Sequence, residues 1–193
     1  MNDQILKENL QDKINNFFKK NIKILFLTLI TIIIFLIFFS FFNYQKKQND
    51  IIISEQFTNA SILIKDNKIE ESKLILENIL SKDHKFYSPL ALNLLIDNEI
   101  EKDKKIILNY FDQVLKIKSI SNENLNLIKI KKALFLFNEK DEELIITTLN
   151  PIINSNSVWR NSAIKLIADY FFSINQKNKA NEYYKLLNEQ IEK

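Results

Sequence analysis

The sequence predicts an all-α protein with a single N-terminal transmembrane helix and a helical domain after it. Residues 24–42 (ILFLTLITIIIFLIFFSFF) contain sixteen apolar residues among nineteen and no charge. As a helix this stretch is about 28 Å long, close to the roughly 30 Å hydrocarbon core of a bilayer. After residue 50, apolar residues recur at helical spacing, without an alternating strand pattern between turn residues.

The apolar stretch is expected to remain in the mature protein as a membrane anchor. It is longer than the roughly 7–15 apolar residues of a signal peptide. It is followed by NYQKK, and the first alanine of the chain is Ala60. The sequence therefore lacks the small residues that a signal peptidase requires.

Lysines before the span predict its orientation. Residues 1–23 contain five lysines, whereas Lys46 and Lys47 are the lysines in the twenty residues after the span. The positive-inside rule then places the N-terminus in the cytoplasm. We expect a bacterial inner-membrane protein with a cytoplasmic amphipathic tail (1–23), a juxtamembrane linker (43–50) and a periplasmic domain (51–193). The tail is either a solvated segment that fixes orientation or a helix on the inner leaflet or a partner's cytoplasmic face.

Composition argues against most catalytic chemistry. The chain has no cysteine, no glycine and one histidine, which excludes disulfides, a cysteine nucleophile, lipidation on cysteine, Gly-rich phosphate loops and multi-His metal sites. The part after residue 43 is almost neutral, which gives little reason to expect nucleic-acid binding. We therefore predict no enzyme activity, no cofactor and no metal.

From Ile51 onward the pattern predicts eight helices in four antiparallel pairs. The sequence Ser88-Pro89 predicts a helix start with Ser88 as the cap. Asn150-Pro151 is expected to end the sixth of these helices.

The helix pairs show the spacing of tetratricopeptide repeats, in which small residues twelve positions apart bring two helices close together. Ala60 and Ser72 have this spacing, and so do Ala168 and Ala180. The steps Ala60, Leu95, Ala133, Ala168 are 35, 38 and 35 residues, against a nominal 34. We therefore predict a short TPR-like helical solenoid of about four helix pairs. The residues assigned to repeat packing are Ala60, Ser72, Ala133, Ala168, Ala180 and Tyr184.

Several segments resemble the YfgM-like ancillary subunits of the bacterial Sec (SecYEG) translocon. They are NFFKKN (16–21), FNYQ (42–45), FYSPLALNLL (86–95) and SVWRNSA (157–163). The resemblance implies a membrane protein that associates with the translocon channel and with a membrane-anchored periplasmic chaperone. The chain differs in lacking glycine between helices, and we expect asparagines to adopt the left-handed conformation there instead. These asparagines are Asn67, Asn138 and Asn175.

A repeat solenoid binds partners on its concave face. An apolar groove there would bind an unfolded segment or a partner helix; alternatively, the same residues form the core of a compact domain. We expect Trp159 to be a packing residue, Tyr183 to be on the surface and His84 to be solvated. Lys129, Lys131 and Lys132 are expected to form a solvated face or, alternatively, to bind an acidic partner. The residues predicted on the concave face are Phe57, Ile64, Leu92, Ile96, Ile130, Phe137 and Phe172.

The sequence leaves two non-enzymatic classes open. The first, implied by the resemblance, is an accessory protein that assists the handling of translocated chains together with the Sec channel and periplasmic chaperones. The second is a general envelope scaffold for another membrane complex, in division or outer-membrane assembly.

Overall fold

The computed structural model describes residues 2–188, which form helices joined by turns and contain no strand. The side chains of residues 2–15, 17, 18, 25 and 188 are outside this description, and so is most of the amphipathic face predicted for the tail. The predicted all-α class is confirmed for the described residues. Their eight helices are α1 (Asn2–Lys65), α2 (Ile69–Ser81), α3 (Tyr87–Asp97), α4 (Lys104–Leu115), α5 (Asn122–Asn138), α6 (Glu142–Ile153), α7 (Arg160–Ser173) and α8 (Lys177–Asn188).

The first of two compact units, Met1–Ile52, contains the apolar stretch. Within the described chain, one helical segment, Lys19–Lys65, is long and apolar enough to cross a membrane. The large apolar side chains described between Ile22 and Phe42 are exposed, for example Phe35 at 68%, which is what a lipid-facing helix requires. Residues 43–50, expected as a juxtamembrane linker, are helical and belong to α1.

The second unit, Ile53–Lys193, consists of the end of α1 and the remaining helices. From α2 to α7, each helix packs against the helix that follows it in the chain. Helices two apart also meet, since α2 contacts α4 and α5 contacts α7. Buried apolar side chains form one cluster between Ile53 and Ile128 and a second between Ile130 and Ala180.

The odd-numbered helices α1, α3, α5 and α7 end in the same way. After each, one residue has a positive φ, and two backbone hydrogen bonds close the turn in the Schellman pattern. At the end of α1, for example, Lys68 N–H donates to Leu63 O and Asn67 N–H donates to Ile64 O. The left-handed residues at these four turns are Asn67, Glu99, Lys140 and Asn175, with φ of 60°, 51°, 56° and 65°; Asp83, after α2, is also left-handed, with φ of 49°.

Asparagine is used at two of the three expected turns. Asn67 and Asn175 adopt the left-handed conformation as predicted, whereas Asn138 is the last residue of α5. In the turn after α5 the left-handed residue is Lys140. A left-handed Asn138 would require α5 to end two residues earlier, but the helix includes Asn138 and is followed by Glu139 at the C-cap. Glu99 was not predicted at all.

The turns also reveal which residues are equivalent in successive pairs. The residue seven positions before the left-handed residue of each of these turns is buried. These residues are Ala60, Leu92, Ala133 and Ala168. The match of Leu95 to Ala60 predicted from the sequence is therefore wrong by a register shift of three residues. In the even-numbered helices the corresponding buried positions are 35, 38 and 35 residues apart: Ser72, Ile107, Ile145 and Ala180.

Side-chain hydrogen bonds that span 33 or 34 residues connect the first helix pair to the second and the third to the fourth. Between the second and third pairs the bonds are Lys131 to Asn93, over 38 residues, and Lys132 to Asp112, over 20 residues. Tyr110 Oη donates to Glu77 Oε1 at 2.6 Å, over 33 residues. Ser157 Oγ donates to Glu123 Oε2 at 2.7 Å, over 34 residues. Gln176 Nε2 donates to Glu142 Oε2, also over 34 residues. The first and last junctions between helix pairs therefore contain polar contacts of similar sequence separation.

Pro151 does not end α6 as predicted, because the helix continues to Ile153. Proline removes one N–H donor from the helix. The following residues Ile152 and Ile153 are buried in the second cluster, and this burial favours the last turn despite the missing hydrogen bond.

Candidate partner-binding site

An apolar pocket of about 230 Å³ opens between α3 and α5. We call it the α3–α5 groove. Apolar side chains predominate in its lining, and the charged residues of the lining are lysines. The lining residues are Lys85, Phe86, Pro89, Leu90, Leu92, Asn93, Phe111, Ile120, Asn124, Leu127, Ile128 and Lys131.

The floor of the α3–α5 groove belongs to the first core cluster. Leu92, Phe111, Ile120 and Ile128 are all buried there. Phe111 also contacts the ring of Phe135, with 6.2 Å between centroids. Because its floor is fixed by core packing, the groove is a preformed feature of the unit.

The mouth of the groove includes an exposed aromatic ring. Phe86 is 59% exposed and packs edge-on against Tyr87, with 5.1 Å between ring centroids. Tyr87 in turn contacts Phe57 of α1 at 5.7 Å. Large exposed aromatic side chains next to apolar pockets are characteristic of binding surfaces.

The turn before α3 holds Phe86 in place through His84. The Nδ1 atom of His84 accepts hydrogen bonds from the backbone N–H groups of Phe86 at 3.2 Å and Tyr87 at 3.0 Å. These are donors that the first helical turn cannot satisfy internally. His84 is partly exposed, and its ring has a role that was not predicted from the sequence, since it caps α3.

Ser88 does not cap α3, contrary to the sequence prediction. Its residue is fully buried, and its Oγ donates to Ile79 O at 3.0 Å while accepting from His84 N–H at 2.9 Å. Ser88 therefore connects the turn to α2. The capping function that the sequence assigned to Ser88 belongs to the histidine four residues earlier.

The rim of the α3–α5 groove is polar and includes a lysine with a neutral partner. Lys131 Nζ donates to Asn93 Oδ1 at 2.8 Å. The next residue, Lys132, instead pairs with Asp112 Oδ1 at 2.6 Å. The lining that the structure describes contains no carboxylate, so its charged side chains, Lys85 and Lys131, are all basic.

The residues predicted on the concave face lie in different environments. Leu92 forms part of the groove floor, and Ile130 is buried in the second cluster. Phe57 is half-buried against the first cluster. The remaining four occupy equivalent positions three residues before each left-handed turn residue: Ile64, Ile96 and Phe137 are half-buried, and Phe172 is 58% exposed.

The residues assigned to repeat packing lie in the interior. Ala60, Ser72, Ala133, Ala168 and Ala180 are each 0% exposed. The sixth, Tyr184, is half-buried, and its Oη donates to Asp169 Oδ1 at 2.6 Å. This hydrogen bond raises the pKa of Tyr184.

Two further aromatic side chains belong to the second cluster. Trp159 is partly buried there, in agreement with a packing role. Tyr183, expected on the surface, stacks on Phe171 with 5.7 Å between centroids and an interplanar angle of 13°. Its ring is therefore part of the packing between α7 and α8.

Sequence reasoning missed most of the groove because of the register error in the second pair. With Leu92 rather than Leu95 matched to Ala60, Pro89 becomes the equivalent of Phe57. The same register makes Phe86 the equivalent of Leu127, and both residues line the groove. The signal was present in the sequence, but three extra residues between α3 and α4 concealed it.

Comparisons with known proteins give no relative for this chain. No protein-family model matches it, and searches of curated proteins and of solved structures found no significant match.

Proposed function

We propose that this chain is a single-span, non-enzymatic membrane protein whose helical unit is a TPR-like stack of four helix pairs that binds polypeptides. The observation that supports polypeptide binding best is the α3–α5 groove, a preformed apolar pocket with an exposed aromatic residue and a basic rim. Grooves of this kind bind extended segments or helix faces of partner proteins.

The TPR-like arrangement is supported by equivalence between the helix pairs. Four odd-numbered helices end in Schellman turns within the described chain. Equivalent residues are buried in each pair, and helices two apart contact each other. Solenoid repeats have these properties, since each unit buries its apolar face only against its neighbours.

We further propose that the protein is an accessory subunit of the bacterial Sec translocon in the inner membrane, with residues 51–193 in the periplasm. There it associates with the channel and with a membrane-anchored periplasmic chaperone and assists the handling of translocated chains. The support is the resemblance of NFFKKN, FNYQ and SVWRNSA to the YfgM-like subunits, together with the lysines before the apolar helix.

In-cell crosslinking followed by mild-detergent purification and mass spectrometry tests this function. The expected result is recovery of the Sec channel and a periplasmic chaperone with the tagged full chain. A tagged variant without residues 51–193 is expected to lose the chaperone. Recovery of division or outer-membrane assembly proteins without the channel would support the envelope-scaffold alternative and contradict the translocon assignment.

Orientation has a separate test that uses the absence of native cysteine. Asn2→Cys and Asn181→Cys each introduce one thiol, and Asn181 is exposed. In cells with a permeabilised outer membrane, an impermeant maleimide is expected to label Asn181→Cys at once and Asn2→Cys only after lysis. The reverse pattern would contradict the proposed topology.

A further inference from the structure

The rim of the α3–α5 groove has a positively charged side chain, Lys131, for which the described residues provide no carboxylate partner. Lys131 is the half-buried lysine there, and its hydrogen-bond acceptor is the neutral side chain of Asn93. By contrast, Lys73 and Lys132 pair with carboxylates at 2.8 and 2.6 Å. An ammonium group with a neutral acceptor gains most from an incoming carboxylate, because charge-assisted hydrogen bonds are about twice as strong as neutral ones.

The size of the pocket limits what can enter it. Its volume of about 230 Å³ is below the roughly 300–1,000 Å³ of pockets that enclose small molecules. One large apolar side chain matches this space, whereas a complete acyl chain or cofactor does not.

Two side-chain amides on the rim have the chemistry of peptide recognition. Asn93 uses its Oδ1 for Lys131, which leaves its Nδ2 group as a donor. Asn124 is exposed on α5, and the hydrogen bond described for it involves its backbone N–H. A side-chain amide provides both a donor and acceptors, and so matches the N–H and C=O groups of an extended backbone.

We propose that the α3–α5 groove binds an extended partner segment in which one large apolar side chain adjoins a carboxylate. The apolar side chain enters the pocket beside Phe86 and Leu90, and the carboxylate pairs with Lys131. Asn93 and Asn124 bind the segment's backbone. This assignment rests on the proposed polypeptide-binding function and specifies the segment that is recognised.

Fluorescence anisotropy on the full chain in neutral lipid nanodiscs tests the assignment. The probe is a fluorescein-labelled peptide with Asp-Phe-Asp at its centre and Ser-Thr repeats on either side. Replacing its Phe by Ser is expected to weaken binding at least tenfold, because the pocket loses its apolar occupant. Replacing both Asp residues by Lys is expected to weaken binding about fivefold or more, since like charges then meet at the rim.

A charge reversal in the protein gives the sharpest comparison. Lys131→Glu is expected to reverse the preference, so that the Lys-Phe-Lys peptide binds more tightly than the Asp-Phe-Asp peptide. Lys129→Glu makes the same charge change on the same helix outside the groove lining, and it is expected to keep the wild-type preference. Leu90→Gln is expected to weaken the binding of both peptides. Leu134→Gln, at an exposed position of α5, is expected to leave the affinity for both peptides unchanged.

Several results would overturn the assignment. These are no anisotropy change up to about 1 mM protein, equal effects of Lys131→Glu and Lys129→Glu, or saturable binding of a fluorescent fatty acid in place of the peptides. If crosslinking recovers the channel equally from wild-type and Lys131→Glu cells while the peptides fail to bind, the translocon function stands and the groove assignment falls.

Discussion

The hydroxyl of Ser72 donates a hydrogen bond to the backbone carbonyl of Ala60 at 3.0 Å, at a point where both residues are fully buried. Ser72 begins the second turn of α2, and Ala60 lies on α1. Only a small residue on each helix allows this approach, so the contact sets the distance between the two helices of the first pair.

Enlarging Ala60 is expected to destabilise the helical unit. Ala60→Leu forces α1 and α2 apart and should lower the free energy of unfolding by about 1–3 kcal/mol. Ser72→Ala removes only the hydrogen bond and should cost about 1 kcal/mol. Urea unfolding of the full chain in nanodiscs, followed by circular dichroism, measures both. Thr58→Leu, on an exposed position of α1, is the control, and an equal loss there would contradict the packing explanation.

Glycine is expected to stabilise the turns where a charged residue is left-handed. At Glu99 and Lys140 the positive φ costs roughly 1–2 kcal/mol for a residue with a side chain, and glycine removes this cost. Glycine also loses more conformational entropy on folding, which lowers the gain by about 0.5–1 kcal/mol. Glu99→Gly and Lys140→Gly should each raise the free energy of unfolding by up to about 1 kcal/mol.

The matched controls for these glycines are the preceding residues. Asn98 and Glu139 have φ of −101° and −84°, so Asn98→Gly and Glu139→Gly should destabilise the fold in the same urea titration. If the glycine at the left-handed position and the glycine at the preceding position change the free energy of unfolding equally, the strain explanation for these turns is contradicted.

Removing the cap of α3 is expected to loosen the mouth of the groove. His84→Ala leaves the Phe86 and Tyr87 N–H groups without their acceptor and should cost about 0.5–2 kcal/mol. His84→Asn supplies a side-chain oxygen at a similar distance and should restore most of the loss. Hydrogen exchange of the Phe86 and Tyr87 amides reports the change locally. Unaltered protection of these amides in His84→Ala would contradict the capping role.

The pair of Lys73 and Glu101 predicts a stability change at acid pH. Lys73 Nζ is 2.8 Å from Glu101 Oε2, and Glu101 is buried. The hydrogen bond from Lys73, with those from the Lys102 and Asp103 backbone N–H groups, lowers the pKa of Glu101. Because the carboxyl pKa is lower in the folded chain, the pair contributes its full stabilisation above the ordinary glutamate pKa of about 4.3. This stabilisation is lost as pH falls through the lowered pKa of the folded state.

Urea unfolding at several pH values separates this contribution from general acid effects. Glu101→Gln should be less stable than the native chain at pH 7, and the difference should shrink as pH falls below about 4.3. Glu70→Gln, at an exposed position of α2, is the control. A difference between native and Glu101→Gln chains that stays constant down to pH 2.5 would contradict the linkage.

Much of the architecture could be predicted from the sequence because helical periodicity and small-residue spacing are local signals. The eight helical segments and the left-handed Asn67 and Asn175 follow directly from such signals. The groove was not predicted, because the connection from α3 to α4 is three residues longer than in the other pairs and shifts the apparent repeat register. Glu101 makes this longer turn possible by accepting the N–H groups of Lys102 and Asp103, and a carboxylate turn of this kind has no recognisable repeat spacing.

The side-chain hydrogen bonds described between helix pairs join neighbouring pairs and span at most 38 residues, which bears on how the chain folds during synthesis. Bonds such as Tyr110 to Glu77 and Ser157 to Glu123 join residues 33 and 34 positions apart. Each helix pair can therefore pack onto the pair that precedes it in the chain as soon as it is synthesised, without contacts from the C-terminal helices. Chains with such short-range connectivity close small loops and fold quickly. We expect the unit to assemble vectorially, with pair after pair docking onto a nascent chain held at its N-terminal end.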